Sequence, residues 1–332
     1  MKIFKPSYYD QFHCIAGDCP DSCCQEWDVQ VDALSAQRYL ALDGPLGEHL
    51  RKKLKKDEDG EYTLEITDRR CPMWRQDGLC QIQYELGEDG LCQVCREFPR
   101  LRHDYGDFVE LGLELSCPEA ARLVFTAPPA PSVMQELPEN PVADYDLQDM
   151  QILLRTRDHA LRILEEHPIA EALTLLLLYG YRAQDELDGS EPTPWNPEEE
   201  LAFARQVAGE CDWNALRDLY SGLEILTSRW AALLQSPAPS FPDTLSRMVR
   251  CNIERYWLQA ISDLDLICRV KMIIAGTLLV GHLGGNPMNT AQLYSKEIDN
   301  SLDNLEAILD AAYTHPALTD RHLLGLLQSI VP

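Results

Sequence analysis

The chain has 332 residues, 45% of them hydrophobic and 25% charged, which supplies a sizeable core and excludes a disordered, collagenous or membrane-embedded polypeptide. Acidic side chains outnumber basic ones 54 to 29, and the formal charge of -25 has the wrong sign for gripping phosphate backbones, so nucleic acid is not an expected partner. Nine of the twelve cysteines lie at or before Cys117, a chemical asymmetry that divides the chain in two.

In chain order, Met1 to Asp10 lacks an apolar export core and a small-residue cleavage site, so a cytoplasmic location is expected. Phe12 to Cys24 carries four cysteines around Gly17, Asp18 and Pro20 and reads as a metal-wrapping loop. Asp32 to Leu42 and Gly47 to Lys56 look helical. Glu61 to Thr67 and Phe108 to Leu115 alternate apolar with polar residues, which predicts two half-buried strands able to pair antiparallel. Pro128, Pro129, Pro131, Pro138 and Pro141 then mark residues 126–143 as a linker, because neither a helix interior nor a central strand tolerates that density.

Beyond the linker the helical period dominates. Leu147, Met150, Leu154, Leu161 and Leu164 form one stripe, and Leu216, Leu219, Leu223, Leu226, Trp230 and Leu233 predict a second on a helix within Asp212 to Leu234. Ile169 to Tyr181 and Met272 to Leu283 are strongly apolar but shorter than the roughly 18 to 20 residues of a spanning helix. Both read as buried core helices, and no membrane partner is expected. Asn196 before Pro197 and three glutamates gives an N-cap, a helix-compatible proline and charges that suit a helix start. Proline and glycine clusters at residues 188–197 and 236–242 cut the pattern into six or seven helices, and Gly281 to Pro287 reads as an interhelical turn. The expected fold class is α+β, mainly α: a small cysteine-rich metal-binding domain (1–125), the proline-rich linker (126–143) and an all-α helical domain (144–332).

The chemistry resides in the cysteines. They run Cys14-x4-Cys19-x3-Cys23-Cys24, Cys71-x8-Cys80, Cys92-x2-Cys95 and Cys117, and thiolates two to four residues apart can converge on one centre while distant segments close the shell. All nine are candidate metal ligands. Adjacent side chains usually diverge, so Cys23 and Cys24 are expected to serve different purposes. His13 and His103 are the only nearby histidines, and an all-thiolate set suits zinc or an iron-sulfur cluster equally on softness. Cys19, Cys71 and Cys117 each precede proline, as the last ligand does in some ferredoxin runs, which leans toward iron-sulfur. The radical-type Cys-x3-Cys-x2-Cys run fails, because Glu26 stands where its third cysteine would be. Arg96, Arg100 and Arg102 can offset the negative charge of a thiolate centre, and Trp27 can shield it or simply pack. Cys211, Cys251 and Cys268 stand alone in helical patterns and read as core residues. No metalloprotease, nucleophile-elbow, phosphate-loop or Gly-x-Gly-x-x-Gly motif is present in the sequence.

Taken together, Phe12-x-Cys14, Cys19-x-Asp21-Ser22-Cys23-Cys24-x2-Trp27, Cys71-Pro72, Gly78-Leu79-Cys80-x-Ile82-Gln83, Leu86-Gly87-Glu88, Leu91-Cys92-x2-Cys95-x2-Phe98-Pro99-Arg100 and Ser116-Cys117-Pro118-Glu119-Ala120-Ala121-Arg122 resemble the flagellin lysine N-methylase family. A broader cysteine-cluster family thought to chelate zinc or iron shares the double cysteine and the later Cys-x-x-Phe-Pro element. The resemblance covers about residues 8 to 125. It implies methyl transfer from S-adenosylmethionine to lysine ε-amines, with flagellin or another lysine-bearing protein as partner and a 4Fe-4S cluster, or alternatively zinc, as metal cofactor. Thirty acidic against fourteen basic side chains after residue 130 would favour a lysine-bearing substrate electrostatically. Tyr8, Tyr9, Tyr105, Asp28 and Glu119 could act on a lysine proton, but the sequence singles out no catalytic base and no methyl-donor pocket. The alternative is a non-enzymatic zinc- or iron-binding interaction module.

Overall fold

Short alternating segments and long apolar periods partition the chain into two small sheets and a large helical body. The computed structural model describes residues 2–25, 29–57, 59–68, 70–128, 133–136 and 143–331. Its strands are β1 (Lys2–Lys5), β2 (Val29–Val31), β3 (Leu54–Lys56), β4 (Tyr62–Leu64), β5 (Arg100–Asp104), β6 (Phe108–Leu113) and β7 (Val133–Glu136). One sheet has the order β5-β6-β1-β7 and the other β2-β4-β3.

The two strands expected from alternation therefore form, but not with each other. β6 pairs antiparallel with β5 and parallel with β1, Ile3 opposite Val109. β4 pairs with β2 and β3. Each takes its chain neighbour across a tight turn, at Gly106 or at Asp57 to Glu61, and short loops cost the least closure entropy. β3 also corrects the expected second helix, which ends at Lys53 because Leu54 to Lys56 are drawn into the ladder with β4. Within the proline-dense stretch, Val133 to Glu136 form an exposed edge strand on β1. None of the five prolines lies inside it, as edge pairing requires.

The helices of the first part are α1 (Ala33–Ala41), α2 (Gly44–Lys53), α3 (Gln81–Leu86), α4 (Gln93–Glu97) and α5 (Pro118–Thr126). Ten more follow: α6 (Leu147–Glu166), α7 (Ile169–Leu187), α8 (Pro197–Val207), α9 (Trp213–Ser221), α10 (Ser228–Gln235), α11 (Ser246–Tyr256), α12 (Ile267–Leu283), α13 (Pro287–Ile298), α14 (Leu302–Thr314) and α15 (Asp320–Ser329). That exceeds the six or seven expected. α7 and α12 are the buried core helices foreseen, and every residue of α12 is buried. Asn196 caps α8 as expected, its side chain accepting from the Glu198 amide. The first stripe is rotated slightly, since Met150, Leu153, Ala160 and Ile163 are buried in α6 while Leu147 is exposed.

The stripe from Leu216 to Leu233 is not one helix. Its chain leaves helical geometry after α9 and re-enters at α10 because a buried carboxylate, Glu297, accepts from the Leu226 amide at 2.7 Å, the Thr227 amide at 2.8 Å and the Thr227 hydroxyl at 2.6 Å. Asn304 adds bonds to both the amide and the carbonyl of Glu224. These partners replace the helical hydrogen bonds that the break forgoes. The glycine-rich run at Gly281 to Pro287 is the interhelical turn expected. Gly284 ends α12 at φ +72°, where an added Cβ would stand 1.7 Å from the Ala238 carbonyl oxygen, and Asn286 caps α13.

The main core unites the helical body with Tyr105, Phe108, Leu115, Ala121 and Val124 of the first part. A smaller cluster, including Val29, Val31, Tyr39, Leu50, Leu64, Met73 and Ile82, lies under the cysteine segments, and Phe12, Leu113, Ala120 and Leu123 form a third. No helix among the described residues is long and apolar enough to cross a membrane.

Glu297→Ala is expected to lower the unfolding free energy by about 3 kcal/mol, because hydrogen bonds to a buried charged group contribute strongly and the buried Leu226 amide is left unpaired. Urea denaturation followed by circular dichroism measures the change; a shift below about 1 kcal/mol would contradict the capping role given to this carboxylate.

Candidate metal centre

All nine cysteines of the first part, Cys14, Cys19, Cys23, Cys24, Cys71, Cys80, Cys92, Cys95 and Cys117, line one cavity of about 350 Å³. Local backbone geometry brings them there. Cys14, Cys19 and the double cysteine sit on a loop held by two single 3-10 turns, Tyr9–Gln11 and Ala16–Asp18. The Cys71 amide donates to the Cys24 carbonyl at 2.8 Å, joining two segments distant in sequence. Cys80, Cys92 and Cys117 occupy the N-cap positions of α3, α4 and α5. At such positions backbone amides favour a thiolate over a thiol.

Contrary to the expected divergence, Cys23 and Cys24 share the cavity and are hydrogen-bonded. The bonds between Cys24 and the sulfurs of Cys23 and Cys80 lower those two thiols, Cys80 to about 6, and raise Cys24 itself. Cys95 and Cys92 stand in the same relation, Cys92 lowered and Cys95 raised. Burial pushes Cys71 up to about 12, and Cys117 as well, where it outweighs the lowering by the Ala120 and Glu119 amides. Cys23 is exposed to the open cavity.

Among the described residues, no three cysteine, histidine, aspartate or glutamate side chains stand close enough to clasp a single ion. The donor set is soft and suits zinc or iron-sulfur chemistry, and the volume falls at the low end of the range of about 300–1,000 Å³ for ligand sites, more than a bare ion fills.

Other expected residues divide. His13, Arg96 and Arg100 line the cavity, with Arg100 lying over the Phe12 ring at 5.1 Å. Arg102 instead pairs with Asp104 on the exposed face of β5, and His103 packs near Tyr105 and feels Arg255. Of the side chains considered for proton transfer, Glu119 is committed to a bidentate pair with Arg122. Tyr8 and Tyr105 are raised above the usual tyrosine range chiefly by burial, and Tyr9 likewise. None of these four lines the cavity. Trp27 and Asp28 lie outside the described residues. Cys251 and Cys268 are buried as expected, whereas Cys211 is exposed, because it sits just before the Asp212 cap of α9 rather than within a helix.

Sequence reasoning missed the contribution of the helical body. Lys296 and Asn300 line the same cavity, and Lys296 reaches Asp21 Oδ1 at 3.0 Å while only 4% exposed. No sequence pattern pointed to it, because Ser295, Lys296 and Glu297 have the composition of a solvated helix face. A further support is Asp32, whose carboxylate accepts from the Ser35 amide at the start of α1 and from the Gln93 amide at the start of α4, each at 2.9 Å. One side chain thus caps the helix that carries Cys95 and anchors it to α1. Burial works against its ionisation, but those two amides outweigh it and hold the carboxyl below the usual range.

Comparison with curated proteins finds a lysine-N-methylase of Salmonella typhimurium, 29% identical over 142 residues, 41% of this chain and 35% of that protein. The lysine-N-methylase of Salmonella choleraesuis matches with the same identity and coverage. The flagellar biosynthetic protein FliU of Salmonella muenchen is 31% identical over 136 residues, 39% of this chain and 80% of that protein. The chain spans about a third of the length of the two lysine-N-methylases it matches. No protein-family model and no solved structure matches it.

Two measurements test this geometry. Asp32→Ala removes two caps and is expected to cost about 1–2 kcal/mol at neutral pH; since the folded carboxyl titrates below its ordinary value of 3.8, the stabilisation is complete above that value and lost as pH falls through the folded one. Equal stability of the two proteins at pH 7 would contradict the double cap. Brief alkylation of the native metal-free chain, read by peptide mass spectrometry, is expected to modify exposed Cys14 and Cys211 well before buried Cys251 and Cys268; simultaneous modification would contradict the packing.

Proposed function

We propose that this chain, which belongs to the flagellin lysine N-methylase family, transfers methyl groups from S-adenosylmethionine to lysine ε-amines of flagellin, and that thiolates drawn from its nine cavity cysteines hold an iron-sulfur cluster. The carrying observation is the gathering of all nine sulfurs around one cavity in a chain whose relatives bear the names lysine-N-methylase and FliU. Iron-sulfur is preferred to zinc because nine soft sulfurs exceed one four-ligand shell and Cys19, Cys71 and Cys117 each precede proline. Bound there, the cluster would cross-link cysteine segments that share only a small apolar core.

The chain's own residues meet several needs of such a transfer. Thiolates collect negative charge, and Arg96, Arg100 and Lys296 in the wall oppose it. Phe12, Phe98 and Pro99 give the same wall an apolar portion, and exclusion of water strengthens every polar contact made inside. The reaction itself asks for a deprotonated lysine amine and a methyl donor aligned in line with it. The excess of 54 acidic over 29 basic side chains draws a lysine-bearing protein toward the surface and raises the encounter rate, an effect that salt screens.

The test is anaerobic purification, analysis for iron and sulfide, and incubation of the loaded protein with flagellin and methyl-labelled donor. Label on flagellin lysines, lost when Cys92 and Cys95 are both changed to serine, is the expected result. Loaded protein that neither binds the donor nor labels flagellin would overturn the enzymatic reading in favour of a metal-binding interaction module, and colourless protein carrying zinc would overturn the cluster.

A further inference from the structure

The loop carrying the double cysteine is not held by its own segment alone. Asp21 Oδ1 accepts from the Ser22 amide at 2.8 Å and from Gln25 Nε2 at 3.3 Å, which are local contacts. The same carboxylate is also gripped from α13, by Lys296 Nζ on Oδ1 at 3.0 Å and by Gln292 Nε2 on Oδ2 at 3.0 Å. Gln292 and Lys296 are four residues apart and so share one helix face, and both are almost wholly buried.

Each of the two makes a second contact with a peptide group next to a cysteine. Lys296 Nζ donates to the Ser22 carbonyl at 3.1 Å, immediately before Cys23. Gln292 Nε2 donates to the Ser116 carbonyl at 2.6 Å, immediately before Cys117. The double-cysteine loop and the start of α5 are distant in sequence, and the pair on α13 sets their relative position. The ammonium also stands in the cavity wall, where its charge opposes that of the thiolates.

We infer that Lys296 and Gln292 are positioning residues for the thiol cavity: acting through Asp21 and the peptide groups before Cys23 and Cys117, they hold those sulfurs in register for a thiophilic cation. The inference rests on the reading of the cavity as a metal centre and adds that the helical body is part of that centre. Partners of this kind, which orient a ligand without touching the metal, typically change affinity by about 10- to 100-fold when removed.

The test titrates the full-length metal-free chain with Co2+, following the sulfur-to-cobalt charge-transfer absorption, which reports both affinity and the number of sulfurs bound. Lys296→Met and Asp21→Asn are each expected to weaken Co2+ binding about 10- to 100-fold, and the double variant to lose less than the product of the two effects, because the two share the Lys296–Asp21 contact while each also loses bonds of its own. Lys296→Arg is expected to restore most of the affinity, and Gln292→Leu to lower the absorption per bound cobalt as Cys117 falls out of register. Asp21 lies on a loop outside the three apolar clusters, so Asp21→Asn keeps the test available if Lys296→Met fails to fold. Variants that bind Co2+ as tightly as the parent, or effects that simply add, would overturn the positioning role while leaving the metal centre standing. A parent chain that binds no Co2+ would overturn the metal reading itself and the inference with it.

Discussion

Helix α13 is buried without interruption from Thr290 to Ile298, although that stretch contains Lys296 and Glu297 side by side. Taking two opposite charges out of water costs several kcal/mol each unless both are fully partnered. Here they are partnered in different directions. Lys296 goes to Asp21 and the double-cysteine loop, while Glu297 goes to the amides between α9 and α10. Ser295 and Thr290 find Asp299 and the Gly284 carbonyl. α13 therefore cannot shift as a rigid rod without stranding at least one buried charge, and the cysteine loop, the helical break and the turn after α12 are placed relative to one another by that condition.

The need for such a fixture follows from the apolar arithmetic of the first part. Among the described residues, the cluster under the cysteine segments contains twelve buried residues, and two of them are Cys71 and Cys92 themselves. So small a core supplies little net stability against chain entropy. The sheet β5-β6-β1-β7 escapes the problem by packing on the helical body, where Glu110 of β6 meets Arg157 of α6 in a bidentate pair with both bonds at 2.7 Å. Arg255 of α11 lies between Asp299 and Glu114; burial opposes its charge, and Asp299, Tyr256 and Glu114 more than compensate. Such pairs contribute modestly to net stability, yet removing one partner leaves an uncompensated charge. They tie the sheet to the helices through position rather than through apolar area.

What the sequence disclosed and what it withheld follow the same division. Cysteine spacing marked every sulfur that the cavity gathers, because closely spaced thiols are rare without a common purpose, and apolar periods marked α7 and α12, because a fully apolar helix has only one place to go. β5 was illegible, since Arg100-Leu-Arg-His-Asp has the composition of a solvated loop and becomes a strand only through its hairpin with β6. The break between α9 and α10 was illegible too, because its cause is a carboxylate some seventy residues away. The same holds for Lys296. A period scan registers apolar positions, whereas α13 is buried through polar groups whose partners only the fold supplies.

Charge completes the picture of the cavity. A protein with 25 more acidic than basic side chains is a poor place to collect thiolates unless cations stand near them, and Arg96, Arg100 and Lys296 supply these from three different segments. The sulfurs respond unevenly. Cys80 and Cys92 are lowered by their bonds to Cys24 and Cys95, and the latter two are raised by the same bonds. A thiophilic cation binds thiolates in competition with protons, so its affinity would fall as pH falls. The cationic wall answers one electrostatic problem, the crowding of nine thiols around a space of about 350 Å³.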